Sequence, residues 1–228
     1  MDQLRITRGA LWLLLAEVGL SLVWLLSTAD VRVEIADWLV ATGHGVWGQG
    51  KVWTLVTSPL LEPEPLTLLF HGLILWMFVP TIERWWGTKR FLRFAAYTSL
   101  AGTVAGTIAA ALLPGDGAIA GLSPFVFASI VAFGVLYSDR HVQFFGVLPM
   151  TGKQLMIGIV AFNALFVVLG RQWALGAAYA ASMALAWLLV SGKWTPKVWW
   201  LRRKQARLRR KLKVMKGGAD DPPKKWMN

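Results

Sequence analysis

A bundle of six transmembrane helices, an all-α membrane protein, is the fold class this sequence predicts, and three observations predict it. Hydrophobic residues make up 56% of the 228 and charged residues only 16%, with a mean hydropathy of +0.51, too apolar for an ordinary soluble domain. A hydrocarbon core of about 30 Å asks for about 20 apolar residues per helix, and six such stretches recur, at roughly 9–28, 66–82, 92–113, 120–137, 154–169 and 172–191. Finally, the basic residues are distributed unevenly about those stretches.

Span one is a Leu-rich run without a convincing small-residue cleavage site, so it is expected to stay as an anchor. Span two is short and carries His71. Span three repeats small residues at Gly102, Gly106 and Ala110, and span six does so at Gly176, Ala180 and Ala184, a four-residue spacing that lets helices pack closely. Span four opens on Gly121-Leu122-Ser123-Pro124. Span five carries Asn163 and is separated from span six by Gly170-Arg171-Gln172. A tight turn is expected there, because one continuous helix would overrun the bilayer.

With the N-terminus inside, the loops on the opposite side carry only Arg32, Lys51 and Arg171 of the 24 Lys and Arg residues. This asymmetry predicts both termini in the cytoplasm and a multi-pass protein of the plasma (inner) membrane. The first external loop, 29–65, holds Trp38 and Trp47 among apolar residues and is expected to lie on the membrane surface. Residues 1–192 read as one transmembrane domain and 193–228 as a basic cytoplasmic tail. Lys197–Lys216 forms a narrowly amphipathic helix whose expected partner is anionic lipid headgroups rather than nucleic acid, followed by a disordered end.

No Cys is present, which excludes disulfides and a thiol nucleophile. No His-x-x-x-His or Glu-x-x-His spacing appears, so neither a metal nor another cofactor is expected. The spans are read as uncharged and lack paired inverted broken helices, which counts against a small transporter or channel. Glu83, with Arg84, Lys89, Arg90 and Arg93 nearby, is expected to brace a cytoplasmic loop.

The order of motifs Val52-Trp53-Thr54-Leu55-Val56-Thr57, Leu68-Leu69-Phe70, Leu75-Trp76-Met77-Phe78, Ile82-Glu83-Arg84-Trp85-Trp86-Gly87-Thr88-Lys89-Arg90-Phe91 and Gly121-Leu122-Ser123 resembles the rhomboid family over about residues 45–190. The resemblance implies a six-helix rhomboid-like core, with a short fourth helix starting beneath a water-filled cavity. It also implies a Ser on the fourth helix, a His base on the sixth, and a His and an Asn on the second that hold the oxyanion.

Ser123 matches the nucleophile, followed by Pro124 where the family has Gly. The family's second-helix His falls at Thr67 and its Asn at His71. The sixth-helix His falls at Trp173, and Thr54 replaces the Arg of the family's Trp-Arg pair. An indole has no lone pair to accept a proton, and spans five and six contain no His.

Two readings of Ser123 follow. As an N-cap ahead of Pro124 it stabilises a helix start by about 0.5–2 kcal/mol without catalysis, with Pro124 filling space near the nucleophile. The protein is then an inactive rhomboid relative, a pseudoprotease that binds transmembrane clients or membrane partners. Alternatively it is an intramembrane serine endopeptidase in which His71 serves Ser123 as a displaced base, with a depleted oxyanion hole.

Overall fold

The computed structural model describes residues 6–113, 117–139, 141–144 and 148–191. All lie in one unit, Met1–Ser191; the basic tail, with its amphipathic segment Lys197–Lys216, falls outside the described residues. Helix α1 (Arg8–Leu26) is followed by a folded loop: α2 (Ala29–Leu39), strand β1 (Ala41–Thr42), a π-helical turn at His44–Gly48, a short α3 (Thr54–Thr57) and a 3-10 turn at Ser58–Leu60. Trp53 stacks on Trp38 and donates its indole N–H to the Trp38 carbonyl at 3.0 Å.

Helix α4 (Pro65–Met77) runs into α5 (Val79–Trp86) through a 42° bend. Pro80 explains it: proline offers no N–H, and its ring clashes with the carbonyl four residues back. Helix α6 (Thr88–Leu112) and the short α7 (Ser123–Leu136) come next, then α8 (Gly152–Gly170) and α9 (Trp173–Val190). The expected turn between the last two is there, with Arg171 in the left-handed conformation at φ 52°.

Helices α1, α6, α8 and α9 are long and apolar enough to cross a membrane, and α4 with α5 makes a fifth span if the bent pair is one. Helix α7 has 14 residues, about 21 Å at 1.5 Å per residue, less than the hydrocarbon thickness. The expected span 120–137 is trimmed because Gly121 adopts φ 80° and the chain turns again after Leu136.

Helix α7 forms the centre, with Phe125, Val126, Ala128, Ile130, Val131, Ala132 and Phe133 buried among its neighbours. Phe125 meets Phe91 and Phe94 of α6 edge-on. Helix α9 packs on α6 and α7 through Ala178, Ser182 and Ala186, all fully buried. Ser182 directs its hydroxyl to the carbonyl of Thr98 across the interface, at 2.9 Å. The face expected from the small-residue spacing, Gly176, Ala180 and Ala184, is therefore displaced: Ala180 and Ala184 are exposed, and Gly176 faces Val167 of α8. Gly102 and Gly106 of α6 do lie at close approaches, where an added Cβ would stand 2.6 Å from Pro124 Cβ and 2.8 Å from Ile119 Cδ1.

Glu83 braces more than a loop. Its carboxylate accepts from the Gly9 and Ala10 N–H groups at 2.8 and 2.9 Å and from the hydroxyls of Thr7 and Thr88 at 2.5 and 2.7 Å. A negative group at a helix start answers both the open N–H groups and the helix dipole, so one side chain ties α1 to the junction of α5 and α6.

Candidate active site

The segment that delivers Ser123 is held at two points by the first loop. Strand β1 pairs antiparallel with β2 (Ala118–Ile119), and the Gly121 N–H donates to the Ser58 carbonyl at 3.0 Å. Gly121 is required twice over, by its positive φ and because a Cβ there would run into the Glu62 carboxylate. The turn ends with Leu122 in the N-cap position and Ser123 as the first helical residue.

Ser123 is not the helix cap. The N-cap position belongs to Leu122, and Ser123 Oγ lies 3.0 Å from Nε2 of His71. Pro124 does not crowd it either, since that ring is buried against Gly102 of α6 and takes no part in the cavity wall.

His71 comes from α4 and is 3% exposed. Its Nδ1 lies 2.6 Å from Oε1 of Glu17, a fully buried residue of α1. With the Glu17 carboxylate as acceptor, the ring proton lies on Nδ1 and the Nε2 lone pair faces the Ser123 hydroxyl. The sequence pattern brought Ser123 and His71 to notice but passed over Glu17. Span one is not uncharged, and the signal that would have found this residue is a lone carboxylate inside an otherwise apolar membrane helix, a functional candidate by default.

A second carboxylate stands behind the first. Glu62, in the loop before α4, places Oε2 3.9 Å from His71 Nδ1. Its backbone N–H donates to Ser21 Oγ at 2.9 Å, one turn beyond Glu17 on α1, and its Oε1 accepts from the Glu64 N–H at 3.1 Å. Burial pushes the Glu62 carboxyl above the ordinary carboxylate range, against the lowering effect of the Glu64 N–H and His71.

Ser123 opens into a cavity of about 650 Å³ whose wall includes Trp24, Glu62, Thr67, Phe127, Asn163 and Tyr179. The Tyr179 hydroxyl, from α9, interacts with the Ser123 side chain; no motif or spacing singles this residue out. Thr67, at the position of the family's second-helix His, spends its hydroxyl proton on Glu64 Oε2 at 2.8 Å. Trp173, at the position of the family's base, is 51% exposed and outside the cavity wall. His44 lies in the first loop, where its carbonyl accepts from the Gln49 N–H at 3.0 Å and closes the π-helical turn.

No curated protein matches the chain. A family of membrane proteins does, over a stretch that includes Glu17, His71, Ser123 and Tyr179. On that match, which spans residues 12–191, the chain belongs to the family described as "Eukaryotic integral membrane protein (DUF1751)".

Proposed function

We propose that this protein is a rhomboid-like intramembrane serine hydrolase of endopeptidase type, acting through Ser123, His71 and Glu17. The observation that carries the reading is the unbroken relay Ser123 Oγ to His71 Nε2 at 3.0 Å and His71 Nδ1 to Glu17 at 2.6 Å. A hydroxyl is a weak nucleophile until a base removes its proton, and a base is most effective when a third group fixes its tautomer and orientation.

In the proposed reaction Ser123 Oγ attacks the scissile carbonyl as its proton passes to His71 Nε2, giving a tetrahedral oxyanion and an imidazolium balanced by Glu17. The imidazolium then protonates the leaving amine, the C–N bond breaks, and water hydrolyses the acyl-enzyme by the same route. Donors for the oxyanion are the Ser123 N–H at the open start of α7, the Asn163 amide and the Tyr179 hydroxyl, the latter two in the cavity wall.

A transmembrane substrate segment is supported by a second, apolar cleft of about 250 Å³ between α4, α7 and α8. Phe127 and Ile159 line both it and the cavity. In this reading six segments enter the bilayer, α7 only partly, both termini are cytoplasmic, and the first loop rests on the outer surface.

The test is acylation in intact membranes. Fluorophosphonate or isocoumarin probes should label the wild-type chain at Ser123, with labelling abolished by Ser123→Ala and His71→Ala. A folded wild-type protein that no such probe labels would leave the second reading, a non-catalytic binder of transmembrane clients. What favours that reading is Trp173 at the position where the rhomboid resemblance places a His base.

A further inference from the structure

We propose that Glu17, Glu62 and His71 form a site for a divalent transition ion of the zinc class, and that occupancy silences Ser123. The second half rests on the hydrolase reading above; the first does not.

The three residues come from α1, the loop before α4, and α4 itself. One donor atom from each lies within 4.8 Å of the other two. Zinc bonds of about 2.0–2.2 Å in tetrahedral geometry separate ligand atoms by roughly 3.4 Å. The distances from His71 Nδ1 to the two carboxylates, 2.6 Å to Glu17 and 3.9 Å to Glu62, straddle that value, so small side-chain rotations bring the set to coordination distance. An imidazole with two carboxylates suits zinc and its neighbours better than it suits magnesium or calcium, which take oxygen alone.

A separate observation points to a ligand. Oε2 of Glu17 is buried without any hydrogen-bond partner, on a side chain that is itself fully buried. A buried acceptor left without a donor is costly. Its sister oxygen faces His71 Nδ1, and a cation bound by both oxygens of the carboxylate would satisfy it.

The chemical consequence follows from the ring. A neutral imidazole has one proton. If metal takes Nδ1, the proton resides on Nε2, and the lone pair that would accept from Ser123 is gone.

The experiment uses the full-length, tag-free chain in detergent, stripped with chelator, and follows zinc by calorimetry and elemental analysis and cobalt by visible absorption. Expected are one zinc per chain in wild type and in Ser123→Ala, intense tetrahedral cobalt bands in wild type, at least a tenfold loss of affinity in Glu62→Gln, and retention in Glu62→His. Zinc should also suppress fluorophosphonate labelling of wild type, and chelator should restore it. Absence of stoichiometric zinc in the wild type, or full affinity in Glu62→Gln, overturns the site. Stoichiometric zinc with undiminished labelling overturns the silencing. If metal-free wild type is never labelled, the hydrolase reading fails, while binding to Ser123→Ala still decides the site.

Discussion

Glu17 is the residue on which the chemistry turns. Replacing it with Gln keeps the shape but lets an amide N–H face Nδ1, which favours the tautomer with its proton on Nε2. By analogy with the serine-protease triad, where such a change costs about 10⁴ in kcat, Glu17→Gln should slow probe acylation by about 10²–10⁴ while the chain remains folded. Pseudo-first-order labelling rates check this. Tyr179→Phe, which removes one proposed oxyanion donor, should slow acylation by about 10²–10³. Ser123 and His71 were legible in the sequence because each is a polar residue at a patterned position. Glu17 was not, since a spacing of 54 residues from His71 says nothing about which helix faces inward. The cap reading of Ser123 failed for a related reason: a Ser-Pro pair fits a helix start equally well one residue earlier or later, and only the position of His71 shows what the hydroxyl does.

Between elements, small residues and one carboxylate set the fit. Gly102→Val would drive Cβ into Ser182 Oγ, Pro124 Cβ and the Ala178 carbonyl. It should destabilise by about 1–3 kcal/mol, as overpacking does. Gly158→Ala in α8 meets nothing within 4 Å and should be neutral, or stabilising by about 0.5–1 kcal/mol. Thermal unfolding in one detergent compares the two. Glu83→Ala leaves two helix-start N–H groups without their acceptor and should cost about 2–3 kcal/mol, in line with hydrogen bonds to a charged group; the same unfolding assay reads it. The helices themselves were visible from apolar runs, but not the register of α9. Residues 173–186 are small on more than one face, so four-residue spacing has two solutions, and the hydrogen bond from Ser182 to Thr98 selects between them.

For the molecule as a whole, hydropathy located the four helices long enough to cross a membrane, the bent pair α4–α5 and the shorter α7, and charge asymmetry predicts an orientation. Reporter fusions after Gly115 and after Lys153 should sit on opposite sides of the membrane; both on one side would refute that topology. The basic tail should hold to anionic lipid by an interaction that salt screens. A peptide covering 194–216 should accordingly bind anionic vesicles, and be released as salt rises, while leaving neutral vesicles untouched. The bend at Pro80 and the folded first loop were less legible. A proline in an apolar run reads as a kink or an end with equal ease, and the loop's contacts, such as Asp37 with Lys51 at 2.5 Å, depend on tertiary placement.

The pairing of Glu17 with His71 also has a history within each molecule's synthesis. Helix α1 leaves the ribosome first, carrying a carboxylate whose partner lies 54 residues behind it. At about 5–20 residues per second, several seconds pass before that imidazole exists. During this interval the acid faces lipid or the insertion machinery alone, at a penalty of about 2.5–3.5 kcal/mol at mid-membrane. The apolar run of α1, with a mean hydropathy of 2.0, outweighs a penalty of that size, so the helix can seat before α4 arrives, and pairing with His71 relieves the acid afterwards.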